Sequence, residues 1–185
     1  FAGITMQRDC FTEEQNQFRD AYRRFLDKEV APFRDAWRKA GIVPREIFKK
    51  MGEQGYLLTW AAEEFGGLDI NDFRYQQIMI EEDGLYGEAG LFHTLHSRLV
   101  APYLKHFGNP EQQQRFIPAC VSGDCILAIA MTEPDAGSDL AGMKSRAEDK
   151  GDHWVLNGSK VYISNGILAD LVIVAAKTNP EKPRE

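Results

Sequence analysis

The sequence predicts an α+β fold in which an all-α N-terminal part is followed by a β-rich part. Apolar residues recur at helical intervals as far as Gly123, whereas short apolar runs of strand length begin after Cys125. An Asn-Gly pair separates two of these runs, and a charged tail with prolines follows the last one. We therefore predict a helical domain over residues 1–123 and a partial β domain over residues 124–185.

Helix-start signals define the first two predicted helices. Thr12 and Gln15 have the spacing of a capping box, and apolar residues then repeat at helical intervals until Pro32 ends the pattern. Pro44 suits the first position of a second helix, which the apolar pattern extends to Met51. A proline is tolerated at that position because the first N–H groups of a helix have no partner inside the helix.

Three further helices are predicted before the domain boundary. Asp72 is a suitable N-cap for the first of them. Leucines spread over residues 91–104 predict a longer helix with a kink at Pro102. Pro110 begins the last helix, and Gly123 ends it.

Short apolar runs predict the strands. Residues 126–131 are one such run, too short for a typical helix, and residues 171–175 are another. Residues 153–156 and 160–163 flank Asn157-Gly158, which predicts a β-hairpin with a type I′ turn. So few strands leave sheet edges uncovered, so we expect this chain to be the front part of a longer protein.

Composition and residue spacing exclude several classes of protein. The 185 residues carry 22 Lys and Arg against 28 Asp and Glu, and the net charge of −6 without a basic stripe argues against a nucleic-acid partner. No apolar run approaches the roughly 20 residues that span a bilayer. The 3 cysteines are odd in number and lack C-x-x-C spacing, which predicts a reducing compartment without a disulfide framework or a zinc site. His93 and His96 are better explained as packing histidines of a helix than as metal ligands.

Residues 130–142 are the densest candidate for a ligand site. They begin at a predicted strand end, where backbone N–H groups of a turn bind an anion or a carbonyl-rich ring. Thr132 and Ser138 supply hydroxyl groups, and Gly137 lets a ligand approach the backbone closely. The alternative interpretation is a strand followed by a Ser- or Asp-capped loop that binds nothing.

Residues 162–166 are the second candidate. Tyr162 and Ser164 alternate along a predicted strand and therefore point to the same face. An aromatic ring and a hydroxyl on one face suit a flat heteroaromatic ligand, whereas the alternative interpretation is an ordinary strand end. In both candidates a predicted strand is followed by a residue with a hydroxyl group and then by a turn. Two neighbouring strands would therefore present both segments to one ligand.

The motifs of this chain resemble those of a known enzyme family. Residues 130–142 read AMTEPDAGSDLAG, which resembles the first sequence signature of the acyl-CoA dehydrogenase family with every constrained position met. The likeness continues through WVLNGSKVYISNG at residues 154–166, NPEQQQRFIP at residues 109–118 and EFGG at residues 64–67. The resemblance covers most of the chain and is nearest to the long-chain subfamily.

The resemblance implies a fold and an activity. It implies a helical N-terminal domain, the start of a β-barrel-like middle domain, and a C-terminal four-helix domain that is absent from this chain. It also implies FAD-dependent α,β-dehydrogenation of fatty acyl-CoA thioesters, in which the α-hydrogen leaves as a proton and the β-hydrogen as a hydride. The expected partners are the acyl-CoA substrate, an electron-transferring flavoprotein and further copies in a homotetramer. The expected location is the bacterial cytoplasm or the mitochondrial matrix.

The resemblance further implies which residues contact FAD. Met131 and Thr132 would face the pyrimidine edge of the flavin through their backbone and the Thr132 hydroxyl. Gly137 and Ser138 would lie beside the pyrophosphate and the thioester tail, so Ser138 is also a predicted substrate contact. Ser164 would hydrogen-bond near flavin N5, where relatives often have Thr. The predicted cofactor-binding residues are Ile129, Ala130, Met131, Thr132, Gly137, Ser138, Ile163, Ser164 and Tyr162, the last at a position where many relatives have Trp.

The resemblance places the catalytic Glu, which removes the α-proton, in the C-terminal domain of the family. No carboxylate of this chain is therefore assigned as the base, and the chain alone is expected to be catalytically incomplete. Two other interpretations on the same scaffold stay open. One is an acyl-CoA oxidase, which differs in its reactivity with oxygen, and the other is a non-catalytic assembly subunit.

Overall fold

The structure, a computed structural model, describes residues 10–88 and 90–179. In chain order the helices are α1 (Glu13–Glu29), α2 (Arg34–Ala40), α3 (Glu46–Glu53), α4 (Phe73–Tyr86), α5 (Ala101–Phe107) and α6 (Pro110–Ser122). The strands are β1 (Leu127–Ala130), β2 (Arg146–Asp149), β3 (Trp154–Asn157) and β4 (Leu171–Val174). The predicted α+β fold class, with helices first and a few strands after them, is confirmed.

The described residues form two compact units that alternate along the chain. One unit takes the described parts of Phe1–Ile47 and Asp69–Leu91, and the other takes those of Phe48–Leu68 and Phe92–Glu185. The units are defined by contacts in space, and each takes two separate stretches of the chain. They therefore do not test a division of the sequence into two consecutive domains. The boundary between residues 123 and 124 therefore stays a prediction.

In the first unit α1 packs against α4. Thr12 and Gln15 form the predicted capping box, with each side chain accepting the backbone N–H of the other residue. Arg19 and Arg23 of α1 each place a guanidinium nitrogen 2.7 Å from the carboxylate of Glu82. Because Glu82 is fully buried, these two ion pairs compensate for a charge that would otherwise be costly to bury.

The predicted helix ends in the first unit are partly right. The α1 pattern stops before Pro32 as predicted, but the chain continues as the short helix α2, which sequence periodicity did not indicate. The side chain of Asp72 caps α4 by accepting the N–H of Arg74 at 2.9 Å. The prediction that Pro44 is the first residue of α3 is wrong, because the helix begins at Glu46.

In the second unit the predicted longer helix contains a π-helical segment. Residues 93–107 are helical without a break, because the π-helix Leu95–Val100 passes directly into α5. Pro102, which has no N–H, lies in the first turn of α5, just after the hydrogen-bond pattern changes from π to α. The predicted start of α6 at Pro110 and its end at Gly123, which adopts a left-handed φ of 79°, are confirmed, and the structure adds a capping box of Asn109 and Gln112.

Four short strands follow α6 and form two separate pairs. β1 pairs with β4 in parallel, with Leu127 opposite Leu171, and β2 pairs with β3 antiparallel, with Arg146 opposite Asn157. Residues 126–131 and 171–175 therefore hold strands where the sequence predicted them. In the described part of the chain, no helix is both long and apolar enough to cross a membrane.

The predicted hairpin around Asn157-Gly158 is wrong. The partner of β3 is β2, which precedes it, and the turn between them passes through Gly151 with a φ of 93°. Residues 160–163 form no strand, because Lys160 turns inward to a buried carboxylate and Tyr162 adopts a left-handed φ of 57°. A strand needs extended backbone at each residue, and this segment does not keep it.

Candidate functional site

The backbone of β1 has one edge that pairs with a strand and one that does not. The C=O of Ala130 accepts the N–H of Ala175 at 3.0 Å, in line with the parallel register of β1 and β4. In a parallel ladder, alternate residues bond to a given neighbour. The N–H and C=O groups of Leu127, Ile129 and Met131 therefore point to the opposite edge.

Side chains from three parts of the chain bond to that opposite edge. Leu127 donates its N–H to Nδ1 of His96 at 3.1 Å and accepts from Nδ2 of Asn165 at 3.2 Å. Met131 accepts from the ammonium of Lys160 at 2.9 Å. The edge is thus held in place by side chains, without a further strand.

His96 connects α6 to β1 in its neutral form. Its ring is fully buried, and Nε2 lies 3.0 Å from the C=O of Cys120 while Nδ1 accepts the N–H of Leu127. Nε2 therefore carries the ring proton. Burial lowers the pKa of His96 to about 4, although the bond to Cys120 acts in the opposite direction. Both ring nitrogens serve the backbone, so His96 acts as a structural hydrogen-bonding residue.

Asn165 is a site residue that sequence reasoning had treated only as part of an Asn-Gly turn. It is buried, adopts a φ of 62°, and donates from Nδ2 to the C=O groups of Phe92 and Leu127. Its Oδ1 is buried without a hydrogen-bond partner among the described residues. A left-handed φ is more readily adopted by Asn than by most residues, and this was the one available signal.

The chain turns sharply after β1. Glu133 and Ala136 exchange backbone hydrogen bonds of 2.9 and 3.2 Å across the turn. Gly137 and Ser138 follow on the exposed side, and a β-carbon on Gly137 would meet no atom within 4 Å. The predicted open approach to the backbone at Gly137 therefore exists in the structure.

Glu133 lies beneath this turn as a buried carboxylate that accepts three hydrogen bonds from three residues, and the sequence analysis did not single it out. Its Oε2 accepts the N–H of Lys144 at 2.6 Å, and its Oε1 accepts the N–H of Ser145 at 2.9 Å and the ammonium of Lys160 at 2.8 Å. Burial by itself raises the pKa of Glu133, but these hydrogen bonds outweigh burial and lower the pKa to about 2. Glu133 is therefore ionised at physiological pH and fixes the turn.

The second predicted cluster does not lie on a strand. Tyr162 has a left-handed backbone and is 93% exposed, and Ser164 is half-buried at the start of a turn. The prediction that Tyr162 and Ser164 share one face of a strand is therefore wrong. The segment nevertheless lies beside the first cluster, because the N–H of Val161 donates to the C=O of Thr132 at 3.0 Å.

Donors and hydroxyls in these two segments are available to a ligand. Within residues 10–88 and 90–179, the N–H groups of Met131, Thr132, Gly137 and Ser138 have no protein acceptor, and neither hydroxyl of Thr132 and Ser138 has a protein partner. Free amide donors, an open glycine and an exposed aromatic ring suit a planar, carbonyl-bearing ring with a phosphate tail. The residues present therefore fit FAD.

Family profiles match nearly the whole chain. Residues 12–124 match the profile described as "Acyl-CoA dehydrogenase, N-terminal domain", and residues 128–185 match the one described as "Acyl-CoA dehydrogenase, middle domain". The resemblance seen in the motifs is thereby confirmed.

Individual relatives agree with the profiles. The mitochondrial long-chain specific acyl-CoA dehydrogenase of Rattus norvegicus is 46% identical over 174 residues, which cover 94% of this chain and 40% of that protein. The crystal structure of an acyl-CoA dehydrogenase from Geobacillus kaustophilus has a TM-score of 0.91 at 44% identity, covering 96% of this chain and 47% of that one. A glutaryl-CoA dehydrogenase from Mycobacterium smegmatis, solved in complex with FADH2, has a TM-score of 0.82 at 29% identity, covering 91% and 44%. The chain thus spans about two-fifths of the length of the curated relatives it matches.

Proposed function

Because the chain belongs to the acyl-CoA dehydrogenase family, we propose that it is the front part of an FAD-dependent enzyme that dehydrogenates fatty acyl-CoA thioesters between the α- and β-carbons. The observation that carries the proposal is the set of open amide donors at the end of β1, in the segment that matches the family signature. Relatives of this chain hold the flavin, as in the Mycobacterium smegmatis structure with FADH2.

The cofactor-binding assignments follow from this proposal. FAD, when bound, supplies the acceptor for the hydride that leaves the β-carbon. The unpartnered N–H and hydroxyl of Thr132 would hold its pyrimidine edge, and Ile129, Ala130 and Met131 would support the ring. Gly137 would leave room for the pyrophosphate.

Three further cofactor contacts come from the segment that lies beside Thr132. Tyr162 would cover the ring with its exposed aromatic side chain, and Ile163 and Ser164 would contact the flavin next to it. The Tyr162 side chain is 93% exposed, whereas that of Lys160 is 11% exposed, which supports a position of Tyr162 on the solvent side of the site.

Substrate contact is proposed at Ser138. Its side chain is exposed and its hydroxyl has no protein partner among the described residues, so it is free to bond to the thioester tail. No carboxylate of this chain is assigned as the base that removes the α-proton. Glu133, the buried carboxylate next to Thr132, already accepts hydrogen bonds from Lys144, Ser145 and Lys160.

A long-chain acyl group is the proposed substrate class, supported by the 46% identity to the Rattus norvegicus long-chain enzyme. The reduced enzyme would pass electrons to an electron-transferring flavoprotein, and the full-length protein would form a homotetramer. The bacterial cytoplasm or the mitochondrial matrix is the proposed location.

The full-length protein and the 185-residue chain together provide the test. Under anaerobic conditions with an artificial electron acceptor, we expect the full-length protein to bind FAD and to oxidise long-chain acyl-CoA with a higher kcat/KM than isovaleryl-CoA or glutaryl-CoA. The 185-residue chain should turn over none of them. Rapid oxygen consumption by the full-length protein would instead indicate an oxidase, and FAD-free, inactive protein would indicate an assembly subunit.

A further inference from the structure

Lys160 bonds to the backbone at the end of β1, where the flavin site is proposed. We propose that Lys160 is a positioning residue that favours reduction of FAD by polarising the peptide bond between Met131 and Thr132. The inference rests on the proposed function of this segment as an FAD site, and it assigns a role to a residue outside the predicted set of contacts.

The geometry links Lys160 to an open donor through one peptide bond. The ammonium of Lys160 lies 2.9 Å from the C=O of Met131. A trans peptide bond holds its C=O and N–H on opposite sides. The N–H of Thr132, which belongs to the same peptide unit, therefore points away from Lys160, and it has no protein acceptor within the described residues.

A cation on one side of an amide strengthens the donor on the other side. The ammonium draws electron density toward the C=O oxygen of Met131, so the N–H of Thr132 becomes more positive. Hydrogen bonds in such a chain reinforce one another, and bonds to an ionised donor are about twice as strong as neutral ones. Reduction of FAD places negative charge on its pyrimidine ring, so a more positive N–H there stabilises the reduced form more than the oxidised form.

The surroundings of Lys160 keep its ammonium in place and poorly screened. Its side chain is 11% exposed, and that of Glu133, 2.8 Å away, is 4% exposed. Glu133 is itself fixed by the N–H groups of Lys144 and Ser145. Buried charges are screened by salt much less than exposed ones, so the charge-assisted bond from Lys160 to the C=O of Met131 is retained at physiological ionic strength.

A second backbone contact keeps the Thr132 donor oriented. The C=O of Thr132 accepts the N–H of Val161, the residue after Lys160. The two neighbouring C=O groups of Met131 and Thr132 are thus held by two consecutive residues of one segment. If Lys160 served only to neutralise Glu133, its bond to Met131 would affect stability alone and leave the flavin potential unchanged.

Variants of the full-length holoenzyme test the proposal, because a purely structural role of Lys160 would leave the midpoint potential of bound FAD unchanged. We would measure the two-electron midpoint potential of bound FAD and the Kd values of FAD in both redox forms for Lys160→Met, Lys160→Arg and Lys144→Met. In Lys160→Met, the affinity for reduced FAD should fall about tenfold more than the affinity for oxidised FAD, a loss typical of residues that act through a direct ligand contact. For a two-electron couple, this difference corresponds to a midpoint potential about 30 mV lower. Lys160→Arg should restore most of the difference.

Two controls separate the proposed role from others. Lys144→Met removes an exposed cation from the same region, 73% exposed and paired with Asp135, and should leave the potential unchanged. Lys160→Met alone leaves the buried carboxylate of Glu133 without its cation. The second control therefore compares the double variant Glu133→Gln with Lys160→Met to Glu133→Gln alone, because both proteins then lack the Glu133 charge. The potential should still be lower in the double variant.

The outcomes are distinct. Equal potentials in Lys160→Met and the wild-type holoenzyme, or in the double variant and Glu133→Gln, would overturn this inference and leave the proposed function standing. An equal shift in Lys144→Met would also overturn it, since any nearby cation would then suffice. A wild-type protein that binds no FAD would overturn the proposed function together with the inference.

Discussion

Gly158 lies directly against Ser145. A β-carbon built on Gly158 would stand 2.1 Å from Oγ of Ser145 and 2.7 Å from its Cα. The glycine that the sequence pattern assigned to a hairpin turn is therefore needed for a different reason, the close approach of the segment after β3 to the start of β2. Because one of the clashing atoms belongs to the backbone, a rotamer change of Ser145 does not relieve the clash.

The first prediction follows from that contact. Gly158→Ala should destabilise the full-length protein by about 1–3 kcal/mol, the range for overpacking a filled space. Gly84→Ala is the matched control: Gly84 lies in α4 with no atom within 4 Å of an added β-carbon, so Ala should stabilise the helix by about 0.5–1 kcal/mol. Denaturant unfolding compares the two, and equal effects would contradict the close approach.

The second prediction concerns Thr132. Thr132→Val keeps the β-branched shape and removes the hydroxyl, which has no protein partner among the described residues, so stability should change little. A bond that strengthens as negative charge builds on the flavin accelerates reduction, and bonds to charged groups contribute about 1.5–3 kcal/mol. We therefore expect about ten- to hundredfold slower anaerobic reduction by acyl-CoA in stopped-flow measurements and a lower flavin potential.

Thr178→Val provides the control for Thr132, because Thr178 is exposed in a loop and outside the proposed site. It should alter neither reduction nor unfolding. A Thr132→Val protein that reduces at the normal rate but unfolds at a lower temperature would instead assign Thr132 to turn stabilisation.

The third prediction concerns the buried imidazole. His96→Phe removes the acceptor of the Leu127 N–H and the donor to the Cys120 C=O, leaving two buried backbone groups unpaired. Each costs about 1–3 kcal/mol, so the full-length protein should lose about 2–6 kcal/mol of stability. His106→Phe, at an exposed position of α5, should change stability by no more than about 0.5 kcal/mol.

His96 also predicts a pH dependence. Burial lowers its pKa from 6.5 to about 4, so the unfolded chain binds the proton first as the pH falls. The stabilising contribution is complete above pH 6.5 and is lost progressively down to about pH 4. We would measure the free energy of unfolding of wild type and His96→Phe between pH 6.5 and 4. The decrease due to His96 should be absent in the variant, and the same pH dependence in both proteins would be inconsistent with a buried neutral His96.

The fourth prediction concerns Glu133 at lower pH. Its pKa falls from 4.5 to about 2, so its contribution to stability is complete above pH 4.5 and is lost as the pH falls toward 2. Glu133→Gln should lower stability at pH 7, because Lys160 is left buried beside a neutral partner, and should flatten the profile between pH 4.5 and 2. Thermal unfolding across that range measures both effects.

Glu148→Gln serves as the exposed counterpart of Glu133→Gln. Glu148 pairs with Lys150 at 3.0 Å with both side chains well exposed, and such surface pairs contribute little to stability. A loss of stability as large as that of Glu133→Gln would show that burial is not what makes the Glu133 contacts important.

Features that depend on neighbouring residues could be predicted from residue type and spacing. The caps formed by Thr12 with Gln15 and by Asp72 were predicted, and so were the start of α6 at Pro110 and its end at Gly123. Each cap is a set of hydrogen bonds between residues two or three positions apart, so residue type and spacing suffice to specify it. The family signature was readable for the same reason, since it is one contiguous segment.

Features that depend on residues far apart in the sequence became visible only in the folded chain. Glu133 meets Lys160, and His96 meets Leu127, across long separations in sequence, and no local pattern distinguishes these residues from solvated ones. The choice of β2 as the partner of β3 was decided in the same way. Strand pairing and buried ion pairs are selected by the packing of whole segments, because the desolvation cost of a charge or a strand edge depends on what finally covers it.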